Sequence, residues 1–482
     1  MLQPGRPSTL ALIGLAALAL GIRLYGLGAR DLWEDEQVTL VDSLGVRVPE
    51  KEGRGQSFPS SQLHTGGGSI AIAEHSASHD QPVYVTLMHL WTKQVRPSEW
   101  TLRLPSAVMG ALTVPLLALL GTRLGGCPQG LWAAAFLAVF PLHVSYSQEA
   151  RTYAITVFLV VLSTLTCLLV AETKSRWAWM GYGIVAATVP ALHLLAVMAL
   201  LPQGAWLLAR PEARRRLPYA LASGMFFLCL LAPLGFLQSV VTAHQDSGLA
   251  FQHPPPELQE WALPATFSRL VSGLGATTTR LLGIEYPVLG VRSRDLLWLS
   301  GPLLASAIVA ALRMRPREVA LLLAGGAFLP LLTTAGLSLA YGHIVPLQDR
   351  YSSWSMPFFA LLFAEGIVML RPSLSRRFGT ALLLIYALFL ARMQLSPEPR
   401  TTPRAQEVRQ VSECAIPPQA VRANDASEAA VIAAWTDRPL FLQVGGDPSS
   451  SLHTAFEVEP GTGTICRTSP GSGCDADFPV CR

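Results

Sequence analysis

The sequence predicts an all-α polytopic membrane protein, and three observations carry that reading. Hydrophobic residues fill 51% of the 482 positions and charged residues only 14%, where a soluble domain carries about a quarter charged. Apolar runs of about 20 residues, the length a helix needs to cross a bilayer, recur from Leu10 to about Leu395. Basic residues gather at alternate ends of these runs. Together they exclude a soluble enzyme, a fibrous protein and a disordered chain. The net charge of +4, from 36 Lys and Arg against 32 Asp and Glu, forms no basic stripe, so no nucleic acid is expected as a partner.

Eleven spans are predicted, at 8–27, 101–121, 129–146, 151–171, 177–190, 191–209, 217–238, 296–313, 318–341, 351–370 and 378–395. The short apolar stretch 82–95 holds His89 and Lys93 and reads as an interfacial or re-entrant helix. Arg6, Arg123, Lys174, Arg176, Arg210, Arg214, Arg215, Arg216, Arg313, Arg315, Arg317, Arg371, Arg376 and Arg377 all fall on one side, which is therefore cytoplasmic. The opposite short loops hold only Arg151 and Arg350. Both flanks of Trp177–Ala209 are basic, so this stretch must cross twice, with Pro190 as the breaking point. The first span is retained rather than cleaved, since no strong small-residue site follows it. The N-terminus is then inside and the C-terminus outside.

Three outward segments are long enough for chemistry: 28–100, with a Gly- and Ser-rich stretch at Gly66–Ser69, then 241–295, and the tail 396–482. The membrane domain is thus 1–395 and the tail a small extracytoplasmic domain. Cys127, Cys167 and Cys229 lie in or beside spans, whereas Cys414, Cys466, Cys474 and Cys481 share the polar tail without C-x-x-C spacing. That favours two disulfides in an oxidising compartment over a zinc site.

Candidate chemistry clusters at the outward span ends. Glu34, Asp35 and Glu36 crowd beside Trp33, and such a group serves as a general base, a cation site or merely an acidic loop. The turn Tyr146-Ser-Gln-Glu-Ala-Arg-Thr-Tyr153 presses Gln148, Glu149, Arg151 and Tyr153 between two apolar helices. Arg151 there is either paired with Glu149 or lipid headgroups, or a phosphate ligand. Gln348-Asp349-Arg350-Tyr351 brings the other outward arginine, with Tyr341 and His343 nearby. The two could converge on one anionic headgroup, or Arg350 and Tyr351 could simply anchor the interface. His79 and Asp80 open the short helix and suit a proton shuttle or a metal ligand, while His193 reads as a core histidine. No H-E-x-x-H, G-x-S-x-G or Gly-Lys-Ser/Thr phosphate loop is present.

The order of these motifs carries a resemblance. A first span leads to Trp33-x-Asp35-Glu36, then to His79-x-x-Pro82-x-Tyr84 in a helix ending His89-Leu-Trp91, then to Arg103-Leu-Pro-Ser-Ala107, the 146–153 turn and Asp349-Arg350-Tyr351. This resembles the bacterial branch of the GT-C superfamily, integral membrane glycosyltransferases similar to protein O-mannosyltransferases and lipid A aminoarabinose transferases. The likeness covers about 8–395. It implies a polyprenyl-phosphate sugar donor, an extracytoplasmic acceptor (protein, lipid or polysaccharide), membrane lipids as surroundings, and a multi-pass protein of the bacterial inner membrane. It makes Asp35 the catalytic aspartate and Glu36 its partner. Gln148, Glu149 and Arg151 match the second outer loop, and Arg350 and Tyr351 the motif before the late span. Two departures stand out. Many members have His-Pro-Pro-Leu where this chain has His79-Asp80-Gln81-Pro82-Val83, and residues 50–75 lengthen the first loop.

The expected chemistry is inverting transfer. Asp35 takes the acceptor proton while Arg151 and Arg350 hold the leaving lipid phosphate. His79, Asp80, Gln148, Glu149, Tyr153 and Tyr351 would line the substrates. No cofactor is certain; Asp35 and Glu36 could hold a divalent cation, Mg or Mn. The alternatives are a transporter or flippase of a lipid-linked glycan, and a non-catalytic assembly protein. A transporter would more often carry paired halves and mid-membrane charges. Here the polar residues gather at span ends, which favours surface chemistry.

Overall fold

The computed structural model describes residues 7–30, 32–46, 57–59, 81–235, 266–282, 297–314, 316–342, 348–395, 420–423, 441–444, 454–458 and 465–466. The chain forms two compact units, one of residues 1–27 and 103–397, the other of 28–102 and 398–482. In chain order the helices are α1 (Thr9–Leu24), α2 (Glu34–Leu44), α3 (Pro82–Thr92), α4 (Glu99–Gly125), α5 (Cys127–Val139), α6 (Pro141–Ser147), α7 (Tyr153–Ala171) and α8 (Arg176–Leu192). They continue with α9 (Leu201–Leu208), α10 (Leu217–Leu231), α11 (Phe267–Leu281), α12 (Leu297–Arg313), α13 (Arg317–Tyr341), α14 (Met356–Val368) and α15 (Pro372–Leu395).

Among the described residues, five helices are long and apolar enough to cross a membrane: α4, α7, Leu217–Leu234, Arg317–Ala340 and α15. The bent pair α5–α6 makes a sixth, and shorter apolar helices cover Thr9–Leu24, Leu194–Leu208 and Gly301–Arg313. The chain is a multi-pass membrane protein. Several of the eleven expected spans are broken rather than continuous, and backbone chemistry explains where. The span read as 129–146 bends by 62° between α5 and α6, because Pro141 has no N–H to continue the ladder. The long stretch from Trp177 breaks not at Pro190 but three residues later. Proline's fixed φ suits a helix, so α8 runs on through Pro190 to Leu192, and His193 turns extended at φ −152°, ψ 108°. A 3-10 helix, Leu194–Ala199, follows before α9. The span read as 351–370 likewise begins as a 3-10 helix, Asp349–Ser355, before α14.

The bend at Pro141 lies beside a buried arginine that bonds carbonyls at the end of α5. Arg23, on the last turn of α1, is fully buried. It donates to the carbonyls of Ala19 (3.1 Å), Ala138 (3.3 Å) and Leu137 (3.4 Å), the last two at the interrupted end of α5, and to Ser147 Oγ (3.2 Å). Its Nη2 lies 2.6 Å from His143 Nδ1. A guanidinium only donates, so Nδ1 accepts and the ring proton sits on Nε2. α4 can approach because residue 110 is glycine: a Cβ there would lie 2.1 Å from Ser147 Oγ and 3.2 Å from Arg23 Nε. Around this, α14 packs on α5 and α12, and α8 on α7 and α10. The core is filled by Phe136, Phe140, Trp179, Phe358, Phe359 and Tyr386.

In the second unit α2 packs on α3. His89 Nδ1, 2.7 Å from the Ser43 carbonyl, must be the donor there. The short helix expected over 82–95 is therefore present as α3, with Val83, Tyr84, Val85 and Met88 buried. The all-α expectation needs correction here. Strands β1 (Ser57–Pro59), β2 (Ala420–Ala423), β3 (Phe441–Val444), β4 (Thr454–Val458) and β5 (Ile465–Cys466) form one sheet in the order β1-β3-β2-β4-β5. β1 pairs antiparallel with β3, Phe58 opposite Leu442. Strands of two to five residues are too short for alternation to announce them. Of the tail cysteines, Cys466 lies in β5, and Cys414, Cys474 and Cys481 lie outside the described residues.

Candidate active site

The Asp-Glu motif forms the first turn of α2. Trp33 is the N-cap, and Glu34, Asp35 and Glu36 are the first three helical residues. Three adjacent carboxylates are tolerable there because the helix N-terminus presents unpaired N–H groups and a partial positive charge. Glu36 is fully buried, and its Oε2 reaches back to accept the Trp33 N–H at 3.3 Å, the reciprocal half of a capping box. Asp35 is only half-buried, so its carboxyl is the more accessible of the two. Glu36 fixes the turn that presents Asp35.

In the first unit a separate cluster forms around His193. Its ring lies 4.9 Å from Trp354, 6.1 Å from Tyr351 and 6.1 Å from Tyr153. Tyr153 in turn lies 4.9 Å from Tyr146. The charges of Arg151 and Arg350 both act on the His193 ring. Arg350 sits 5.3 Å over the Tyr351 ring and bonds Gln348 Oε1. The backbone of Arg151 is held by Ser106, whose Oγ donates to its carbonyl at 3.0 Å. Arg103, from the same motif, donates to the Leu27 carbonyl at 3.0 Å. Glu149 is buried and its charge acts on Tyr146.

Two further residues join this cluster: Asp349, named in the sequence only as part of its motif, and Arg280, which the sequence did not single out. Asp349 accepts the Tyr146 hydroxyl at 2.7 Å through Oδ2 and Arg280 Nη1 at 2.8 Å through Oδ1. Arg280 comes from α11 in the stretch 241–295, where only a long loop was expected. His193, expected to be a satisfied core histidine, has its Nδ1 buried without a hydrogen-bond partner among the described residues. Its only signal in the sequence is a polar ring after a proline in an otherwise apolar run.

Gln148 sits differently. It donates to the carbonyls of Arg23 (3.1 Å) and Tyr25 (2.8 Å) and accepts from Gln394 (3.0 Å), tying the end of α1 to α15. His79, Asp80 and His343 lie outside the described residues. Among the described residues no group of three His, Cys, Asp or Glu side chains could hold a metal ion.

The chain is similar to known proteins in part of its sequence and in its fold. Residues 79–236 match the family model of dolichyl-phosphate-mannose-protein mannosyltransferase. No curated protein matches the chain. Among solved structures, ArnT from Cupriavidus metallidurans bound to undecaprenyl phosphate superposes with a TM-score of 0.55 at 12% identity, over 90% of this chain and 86% of that one. The apo oligosaccharyltransferase of Archaeoglobus fulgidus gives 0.55 at 11% identity, over 90% of this chain and 64% of that one. The same organism's AglB, in complex with an inhibitory peptide and a dolichol-phosphate, gives 0.52 at 12% identity, over 89% and 63%. At such identities the likeness is one of fold.

Proposed function

We propose that the chain is a GT-C-type membrane glycosyltransferase that transfers a sugar from a polyprenyl-phosphate donor to an extracytoplasmic acceptor. Asp35 is the general base and takes the proton of the acceptor hydroxyl. The freed oxygen attacks the anomeric carbon, and the bond from that carbon to the phosphate oxygen breaks with inversion. The leaving polyprenyl phosphate keeps the bonding pair, and Arg151 and Arg350 stabilise its charge. Glu36 positions Asp35. Glu149, Tyr153 and Tyr351 shape the donor site, and His79 and Asp80 belong to the acceptor side.

The observation that supports the reading is that the charges of Arg151 and Arg350 both act on His193, whose ring lies among Tyr351 and Trp354. A fixed pair of guanidiniums beside rings suits a phosphate joined to an apolar chain. The neighbours' printed ligands, undecaprenyl phosphate and dolichol-phosphate, have that chemistry. The charge distribution supports placement in a bacterial inner membrane with the N-terminus cytoplasmic and the C-terminus outside, where disulfides among the tail cysteines would form. The test is transfer of radiolabelled sugar from a panel of polyprenyl-phosphate sugars by membranes holding wild type or Asp35→Asn. Label reaching an endogenous acceptor only with wild type supports the proposal and identifies the acceptor. Equal labelling by both sinks it.

A further inference from the structure

His193 is 8% exposed, and its Nδ1 has no hydrogen-bond partner among the described residues. The neighbouring ring, Trp354, is 1% exposed, and its Nε1 is equally without a partner among them. Leaving a buried polar atom unbonded is costly. Native structures rarely keep such atoms without a use, such as a ligand that satisfies them. Here two occur on adjacent rings, in the field of Arg151 and Arg350. That is the environment of an anion with several acceptor oxygens. The backbone also singles the residue out, since the extended conformation of His193 interrupts α8 and the 3-10 helix that follows. A third cation at this spot would be repelled by the two arginines. A neutral imidazole offers an N–H without adding charge.

We propose that His193 is a further donor-binding residue, its Nδ1–H donating to an oxygen of the phosphate that Arg151 and Arg350 hold. The ligand is the phosphate monoester of a long polyprenol. This rests on the transferase reading above, because it takes the anion to be the donor lipid's phosphate.

The full-length protein in detergent is titrated with undecaprenyl phosphate and, separately, with inorganic phosphate. Wild type is compared with His193→Asn, His193→Gln and His193→Phe, and with Arg151→Ala and Arg350→Ala. Asparagine places an amide near the position of Nδ1, glutamine places it near Nε2, and phenylalanine keeps the ring. The expected result is that Gln and Phe weaken undecaprenyl phosphate about tenfold, the loss of one hydrogen bond to an anion, while Asn stays within about threefold. Rescue by Phe but not by Asn, with both arginine variants impaired, would mean that the ring only packs; that overturns this inference and leaves the transferase reading standing. Full binding by every His193 variant does the same. Absence of wild-type binding, or unimpaired binding by both arginine variants, overturns both. Inorganic phosphate binding as tightly as the lipid overturns the polyprenol assignment. Should the Phe variant fail to fold, Asn against Gln still decides.

Discussion

Arg280 donates to Asp349 across 2.8 Å, and the carboxylate's second oxygen accepts the Tyr146 hydroxyl at 2.7 Å. The pair fastens α11 to the 3-10 helix that carries Arg350. Their side chains are 29% and 13% exposed, so the pair is shielded more than a surface ion pair. It also sets the charge beside the proposed phosphate site, since an Asp349 without its cation would oppose an incoming anion. Arg280→Ala is expected to raise the donor KM about tenfold with a smaller change in kcat. Adding Asp349→Asn should recover part of that loss. Steady-state kinetics on the double-mutant cycle checks it, and strictly additive losses would show that the two residues act separately.

Asp35→Asn is expected to lower transfer by about 10²–10⁴, the usual worth of a general base. Expression should hold, because a half-buried residue in the first turn of α2 packs little. Glu36→Ala behaves differently. Removing the cap at the Trp33 N–H should cost about 1 kcal/mol of stability, and Glu36→Gln should restore it because the amide oxygen still accepts. Thermal unfolding run beside activity separates the two carboxylates, and a Glu36→Gln variant as inactive as Asp35→Asn would make Glu36 a reacting group as well.

Arg350→Ala is expected to weaken undecaprenyl phosphate binding more than Arg350→Lys does. Lysine keeps the charge and loses only the planar fork. Equilibrium binding in detergent reads the difference directly. Equal losses would mean that charge without the fork is worth nothing at this position, and that the contact is strictly bidentate.

Gly110→Ala tests the packing around Arg23. Its Cβ would fall 2.1 Å from Ser147 Oγ, and overpacking of that kind costs about 1–3 kcal/mol or more. Gly21→Ala on α1 is the control, since a Cβ there meets nothing within 4 Å and alanine favours the helix. Thermal midpoints should fall for the first and hold or rise for the second. A tolerated Gly110→Ala would mean that α4 has room to shift.

Much of the membrane unit was legible because a bilayer imposes long apolar runs, and these cannot be hidden in a sequence. That Arg151 and Arg350 could serve one anion was readable as an option from their shared side. Arg280 could not, because helix α11 follows only a short apolar run after Trp261 and Arg280 is its next-to-last residue, with no charge pattern to pair it with Asp349. His193 is buried as a core histidine would be, but that its Nδ1 lacks a partner among the described residues could not be read from the sequence. Its neighbours in sequence are apolar, and only the broken backbone, three residues beyond Pro190, turns it toward other rings. The Asp-Glu motif was visible as charge, but its crowding is explained by a helix N-terminus. The sheet was missed because each strand is a handful of residues.

The pairing of β1 with β3 joins residues 57–59 to 441–444. A ribosome makes the first of these strands long before the second. Between them the chain must thread every helix from α3 to α15. The early strand therefore stays without its partner through most of biosynthesis, its open edge offered to any other extended chain. The polar tail comes last and closes that edge. Ending translation before residue 441 would strand the front of the molecule as well as remove its rear. A C-terminal truncation should then register first as a defect in folding yield, whatever it does to turnover.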